Sequence, residues 1–322
     1  MSEPPVNQRK ALVTNGTGGI WTVRDESGGI HEASLRGRLK LPKNSPLKLA
    51  VGDDVMIDRE QGGNHWAISE ILPRRSQLAR RSPSGAYGER IIAANVDQVV
   101  LVFAAAKPEP HFRMMDRFLV IAEANEIEAR IVINKVELVG EGTAEGMFAP
   151  YEAAGYPIHF TSVKQSLGLT ELHDQLVGRT SVLTGPSGVG KSSLMNSMYP
   201  GLNLRVGEIS ESVNKGRHTT VGALLHPLPD GGYVVDTPGL REVGMWELSP
   251  DDLAHCFREF RDFAGECKFT DCSHRTEPGC ALREAVRSHA ITQARYESYL
   301  GLRDEMEGEK KTLIPSTKPR RR

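Results

Sequence analysis

From Lys10 to about Leu72, apolar and polar residues alternate in short runs (ALVTNGTGG, IWTVRDESGG, the stretch around Leu35, VGDDVMI and HWAISEIL) separated by Gly, Asn and Asp. Period-two alternation with turn residues at this spacing predicts a small all-β barrel or sandwich. A five-stranded OB-type barrel fits the length, and an SH3-like barrel fits it too. Arg74–Ser82 (RRSQLARRS) reads as a basic linker with a helical turn. At Ile91 the texture changes. VDQVVLVFAAA is a continuous apolar run, as expected of a strand buried on both faces, and MMDRFLVIAEAN carries the spacing of an amphipathic helix. A strand (ARIVINK), a helix around Phe148, a strand (PIHFTS), a helix near Leu172 and a strand (TSVLTG) follow. That alternation predicts a doubly wound, largely parallel α/β sheet. After Leu248 the pattern is helical to Phe263 and again over Ala281–Glu307, on either side of a cysteine cluster. The expected organisation is multidomain α/β: barrel and linker over 1–82, an α/β domain over 83–248, and a helical domain with a basic tail over 249–322.

The 322 residues are 39% hydrophobic and 25% charged, enough to build buried cores and too apolar for wholesale disorder. No run approaches the roughly 20 apolar residues of a membrane span, and the first residues lack an export signal. A soluble, cytoplasmic chain without a membrane partner, acting as a monomer, is expected. The net charge of -1 hides an uneven distribution. Up to Ser82 there are 13 basic against 9 acidic residues, and from Lys310 onward 6 basic and no acidic ones, so the middle is strongly acidic. Basic ends suit a polyanion; ordinary solvated surface is the bland alternative. Arg36, Arg38, Lys40, Lys43 and Lys48, the linker from Arg74 to Arg81, and the tail are the candidate phosphate contacts.

The strongest motif is Gly185, Pro186, Ser187, Gly188, Val189, Gly190, Lys191 and Ser192, which matches G-x-x-x-x-G-K-S/T, follows an apolar strand and opens the helical run SSLMNSM. Glycines let backbone N–H groups converge on phosphates, and the helix N-terminus adds positive potential. Lys191 would neutralise the β- and γ-phosphates, and the Ser192 hydroxyl would ligate magnesium. Downstream, Asp236-Thr-Pro-Gly239 follows the strand YVVD. Asp236 can hold magnesium through water, and Gly239 can offer its N–H to a γ-phosphate. Between them Gly216-Arg-His-Thr-Thr220 supplies Thr219 and Thr220, either of which can close on the metal. Asn134-Lys135-Val136-Glu137 follows the strand RIVI and resembles the N-K-x-D guanine reader, with Glu for Asp. A carboxylate accepts from guanine N1–H and its amino group, which adenine does not offer. Thr161 and Ser162 end the next strand, where a short backbone contact to the base belongs.

The order of these parts is informative. Base reader and base loop precede the phosphate loop, the switch threonines and D-x-x-G, a circular permutation of the usual sequence. Cys267-x4-Cys272-x-His274-x5-Cys280 supplies three thiolates and an imidazole, the tetrahedral set of a structural zinc. Free buried cysteines and an iron–sulfur cluster are the competing readings, and Cys256 reads as core.

With these residues together, the chain resembles the bacterial ribosome small subunit-dependent GTPase A (RsgA) family over nearly its whole length. The motifs that carry the resemblance are NKVE, GPSGVGKSS, GRHTT, DTPG and the cysteine cluster ending in EPGC, in that order. The resemblance implies an N-terminal OB fold, a circularly permuted P-loop GTPase domain and a helical zinc-binding domain. It further implies binding to the small ribosomal subunit and its rRNA late in maturation, with subunit-stimulated hydrolysis of GTP to GDP followed by release. Carried over by motif, Asn134, Lys135 and Glu137 read the base, Gly185 to Ser193 hold phosphates and magnesium, and Cys267, Cys272, His274 and Cys280 hold one structural zinc. Leu240 stands where many GTPases have a water-orienting Gln, so His218 is the candidate water-positioner or base. The alternatives are a translation or tRNA-modification GTPase, an RNA-binding scaffold with an inactive nucleotide site, and a P-loop ATPase.

Overall fold

The computed structural model describes residues 8–36, 49–59, 65–81, 89–202, 223–236 and 248–313. Strands β1 (Gln8–Thr17), β2 (Ile20–Asp25), β3 (Ile30–Leu35), β4 (Asp54–Arg59) and β5 (Trp66–Ile71) form a closed barrel in the order β1-β2-β3-β5-β4. β3 and β5 run parallel and the other neighbours antiparallel, with β4 closing on β1. This is the OB-type arrangement, which decides against the SH3-like alternative. Val13, Val23, Val55, Ile57 and Ile68 fill its core, while Met56 and Asp58 fall on the other side of the same strand.

The stretch read as a basic linker with a helical turn is instead extended. β6 (Gln77–Arg81) pairs antiparallel with β7 (Glu89–Ala94). Leu78 lies opposite Ala93 and both are fully buried, so the strand gains ladder bonds and burial that one isolated helical turn would forgo. Arg74, expected to meet phosphate, points inward: its Nε and Nη2 donate to the two carboxylate oxygens of the buried Asp53 at 2.6 and 2.8 Å. A bidentate buried pair of this kind fastens the barrel to the hairpin and leaves Arg74 unavailable to RNA.

β8 (Gln98–Ala104), β9 (Glu128–Asn134), β10 (Ile158–Phe160), β11 (Thr180–Thr184), β12 (Leu224–Pro227) and β13 (Tyr233–Asp236) form a six-stranded sheet ordered β10-β9-β8-β11-β13-β12. All neighbours are parallel except β12 and β13. β8 is buried along its full length because Val99, Leu101 and Phe103 enter one core and Val100, Val102 and Ala104 the other. Helices α1 (Phe112–Ala124) and α2 (Thr143–Ala153) pack on the first face, and α3 (Leu169–Leu176) and α4 (Lys191–Met198) on the second.

The C-terminal part joins the first core. The helix expected up to Phe263 is broken into 3-10 turns over Leu253–Cys256 and Arg258–Phe260 and a short α5 (Arg261–Ala264). Phe257 takes an extended conformation, and it and Phe260 are fully buried with their rings 5.7 and 5.5 Å from Tyr299. α6 (Ala281–Arg287) and α7 (Gln293–Leu313) complete the domain. Cys256 is buried in the core, as read. Among the described residues, no helix is long and apolar enough to cross a membrane.

Candidate nucleotide site and metal centre

The parallel strands bring Asn134, Phe160, Thr184 and Asp236 to one edge of the sheet, the edge where doubly wound folds bind ligands. From β11 the chain turns through Gly185, whose φ of +139° and close approach exclude a side chain: a Cβ there would lie 2.0 Å from the Val102 carbonyl oxygen. Gly190, at φ +98°, caps α4, and a Cβ on it would meet Asn134 Nδ2 at 2.4 Å. Gly185→Ala is expected to cost about 2 kcal/mol or more, through the left-handed strain and the clash with β8. A thermal melt unchanged from wild type would contradict that.

Lys191 and Ser192 open α4 and are buried. Lys191 Nζ donates to the carbonyls of Gly185 (2.9 Å) and Pro186 (2.8 Å), so its ammonium is held inside the curve of the loop. There it adds a full charge to the positive helix terminus.

The base reader is fastened to this loop. Asn134 Nδ2 donates to Val189 O at 2.9 Å, and the Thr161 hydroxyl donates to Asn134 Oδ1 at 3.3 Å. Lys135, in the left-handed region at φ +62°, donates through Nζ to the carbonyl of Gly188 (2.6 Å) and to that of Lys107. The Lys107 carbonyl, on the loop after β8, is a partner that sequence reading missed, since only the tertiary fold brings it there. Thr161 and Ser162 are buried scaffold. Thr161 N–H bonds Ile133 O, its carbonyl accepts from Val136 N–H at 3.3 Å, and Ser162 pairs with Leu167 in both directions. Glu137 differs from all of these: its Oε2 is buried and no donor among the described residues reaches it. An undonated buried carboxylate oxygen is unfavourable, and a ligand that brings N–H groups relieves it.

Asp236 ends β13, whose register with β11 (Val182 beside Val235) sets its backbone next to the root of the phosphate loop. His218, Thr219, Thr220 and Gly239 lie outside the described residues.

Cys267, Cys272, His274 and Cys280 converge, with all four ligand atoms within 4.8 Å of one another. Cys267 Sγ lies 3.4 Å from His274 Nδ1 and 3.9 Å from Cys280 Sγ, and Cys280 Sγ lies 3.6 Å from His274 Nδ1. A tetrahedral zinc requires about 3.8 Å between sulfurs and about 3.6 Å between sulfur and nitrogen. The donor set therefore fits zinc. Four protein donors would fill that shell and leave no open position. Sequence reading missed the bracing around it. Glu277 accepts from the N–H groups of Ser273 (2.9 Å), Arg275 (2.9 Å) and Thr276 (3.0 Å) and from the Ser273 hydroxyl. Partial burial raises its pKa, but these hydrogen bonds outweigh that and lower it to about 2. Tyr296 OH donates to the carbonyl of His274 (2.6 Å), and Tyr299 OH to that of Ser273 (3.0 Å).

Comparison with known proteins agrees with this geometry. The family model described as RsgA GTPase matches residues 71–246. A Gemmatimonas aurantiaca protein named small ribosomal subunit biogenesis GTPase RsgA is 58% identical over 92% of this chain and 97% of its own length. The Thermotoga maritima protein of that name is 39% identical over 94% and 99%. Among solved structures, YjeQ from Thermotoga maritima has a TM-score of 0.77 at 37% identity, covering 94% of this chain and 99% of that one. YloQ, a circularly permuted GTPase, has a TM-score of 0.73 at 28% identity, covering 96% and 99%. Identity at this level over almost the full length of both chains, with the same permuted fold, makes this chain a member of the RsgA GTPase family.

Proposed function

We propose that this chain hydrolyses GTP to GDP and phosphate in small ribosomal subunit biogenesis, binding the subunit and its rRNA and dissociating after hydrolysis. The relatives matched over nearly their whole length are named small ribosomal subunit biogenesis GTPases, which supports this reading. The observation that carries the guanine part is Glu137. Its buried Oε2 lacks a donor among the described residues, on a loop that Asn134 and Lys135 fasten to the phosphate loop. Guanine presents N1–H and its 2-amino group side by side to one carboxylate, whereas adenine has an acceptor at N1 and no 2-amino group. Lys191 and the loop N–H groups hold the phosphates. Ser192 and Asp236 would hold magnesium, helped by Thr219 or Thr220, and the ion would neutralise charge developing on the phosphates. His218 orients the attacking water, a task Leu240 cannot perform. The cysteine cluster holds zinc and keeps the C-terminal domain folded. Residues 1–82, 83–248 and 249–322 divide this work in a cytoplasmic monomer, with RNA met by the basic barrel surface and tail.

The test is GTP turnover with and without purified small subunits, at two salt concentrations, with ATP as competitor. Turnover should rise with subunits, fall with salt, and resist ATP. Negligible turnover with subunits present would leave the inactive-scaffold reading in its place. His218→Ala should bind GTP normally and lose subunit-stimulated turnover; undiminished turnover would remove His218 from this role.

A further inference from the structure

The four candidate zinc ligands are not equally placed. Cys280 and His274 are each 6% exposed, whereas Cys267 and Cys272 are half-buried, so the cluster opens to solvent on the side of those two. Nor are the three cysteines equivalent in their backbone. Lys268 N–H donates to the Gly279 carbonyl at 3.0 Å, which sets the residue after Cys267 beside the residue before Cys280. The two segments run so close that a Cβ on Gly279, at φ +73°, would lie 3.0 Å from Lys268 Cβ. Ala281 N–H donates to Cys267 Sγ at 3.3 Å, and Cys267 Sγ meets Cys280 Sγ at 3.9 Å. A disulfide needs two cysteines whose backbones lie close together and whose side chains face one another. Cys267 and Cys280 meet that need, and their sulfurs have only about 2 Å to close before they bond.

We propose that Cys267 and Cys280 are a peroxide-sensitive dithiol, which makes the cluster a reversible oxidation switch for the fold of the C-terminal domain. Metal ligation keeps cysteines as thiolates, the form that oxidants attack. The Cys267 thiolate attacks one oxygen of a peroxide, the O–O bond breaks and hydroxide leaves, giving a sulfenic acid on Cys267. The Cys280 thiolate then attacks that sulfur, the S–O bond breaks and a second hydroxide leaves. Two electrons have passed from the two sulfurs to the peroxide. Cys272 and His274 remain, and two donors do not complete the four-donor shell that zinc requires. A thiol reductant reverses the step by exchange through a mixed disulfide. Cys256 is the internal reference: it is buried, and burial followed by the Glu123 charge pushes its thiol up to about 12, so it stays protonated and unreactive. The proposal rests on the zinc reading above.

Full-length, zinc-loaded protein treated with hydrogen peroxide tests it. Zinc release is followed with a chromogenic chelator, disulfides are mapped by mass spectrometry of non-reduced peptides, and the fold is followed by circular dichroism. About one zinc should leave for every two thiols lost, with a Cys267–Cys280 linkage and an unmodified Cys256. The helical signal should fall to that of chelator-treated protein, and reductant with added zinc should restore both metal and signal. Zinc retained under excess peroxide would overturn the proposal. So would a linkage through Cys272 or Cys256, or a Cys267–Cys280 linkage that leaves the helical signal intact. Zinc lost with the sulfurs carried to sulfonic acid, and no recovery on reduction, would overturn it as well. Reduced protein purified without about one zinc per chain would instead sink the underlying zinc reading, so the two failures are distinguishable.

Discussion

Arg295→Ala is expected to lower the stability of the folded chain by about 3–5 kcal/mol, among the largest effects of any single substitution here. Arg295 lies on α7 and is 3% exposed. It pairs with Asp116 of α1, itself buried, and donates to both oxygens of Glu259 at 2.6 and 3.2 Å. Its guanidinium stacks over the rings of Phe257 at 4.6 Å and Tyr151 of α2 at 5.0 Å. Removing it leaves Asp116 as a buried carboxylate with Tyr151 OH as a donor at 2.8 Å. Burial, followed by the Asp116 charge, already pushes the Tyr151 hydroxyl well above its ordinary pKa, a sign of how far this cluster is removed from water. The penalty comes from the stranded carboxylate and less from the lost attraction, so Arg295→Met combined with Asp116→Leu should recover most of it. Urea unfolding of both variants measures the difference. A loss below about 1 kcal/mol for Arg295→Ala would mean the network is not coupled to stability.

Zinc removal should have a comparable reach. Purified protein should contain about one zinc per chain, and a strong chelator or Cys280→Ser should unfold the C-terminal domain, because metal binding supplies folding free energy to small domains of this kind. Cys280 is buried at the start of α6, and the loop from Cys267 to Gly279 is held by turns, by Glu277 and by the Tyr296 and Tyr299 hydroxyls, with no regular element of its own. The effect should spread, since α7 is tied to α1 through Arg295 and through Glu305 with Arg113 and Arg117. The expected readout is loss of helical circular dichroism together with a lower melting temperature for the nucleotide domain. An unchanged melt in zinc-free protein would show that the four ligands do not support the fold.

How much of this was legible in the chain depends on how local each feature is. The phosphate loop is eight contiguous residues whose glycines meet fixed steric demands, so its sequence and its geometry coincide. The zinc ligands fall within fourteen residues, and their spacing already limits them to one loop. Asn134, Lys135 and Glu137 were legible as a motif, but their fastening to Val189, Gly188 and Lys107 depends on strands far apart in sequence meeting at one edge. β6 was misread because its pairing partner lies beyond residues 82–88, and local composition favours a charged turn. Arg74 looked like a surface base for the same reason, with Asp53 being 21 positions away. Phe257 and Phe260 broke an expected helix because burial against Tyr299 outweighs local propensity.

The placing of β8 in the middle of the sheet has a consequence for how the chain is made. β8 lies between β9 and β11, and β11 follows it by more than seventy residues. During synthesis the barrel and then β8, β9 and β10 emerge first, so β8 waits with one edge unpaired and apolar residues on both faces. Such an edge is a template for pairing with another chain until β11 arrives to cover it. In this order of elements the edge of β8 stays open until the phosphate-loop strand is made, which is the interval in which the nascent protein is most open to aggregation.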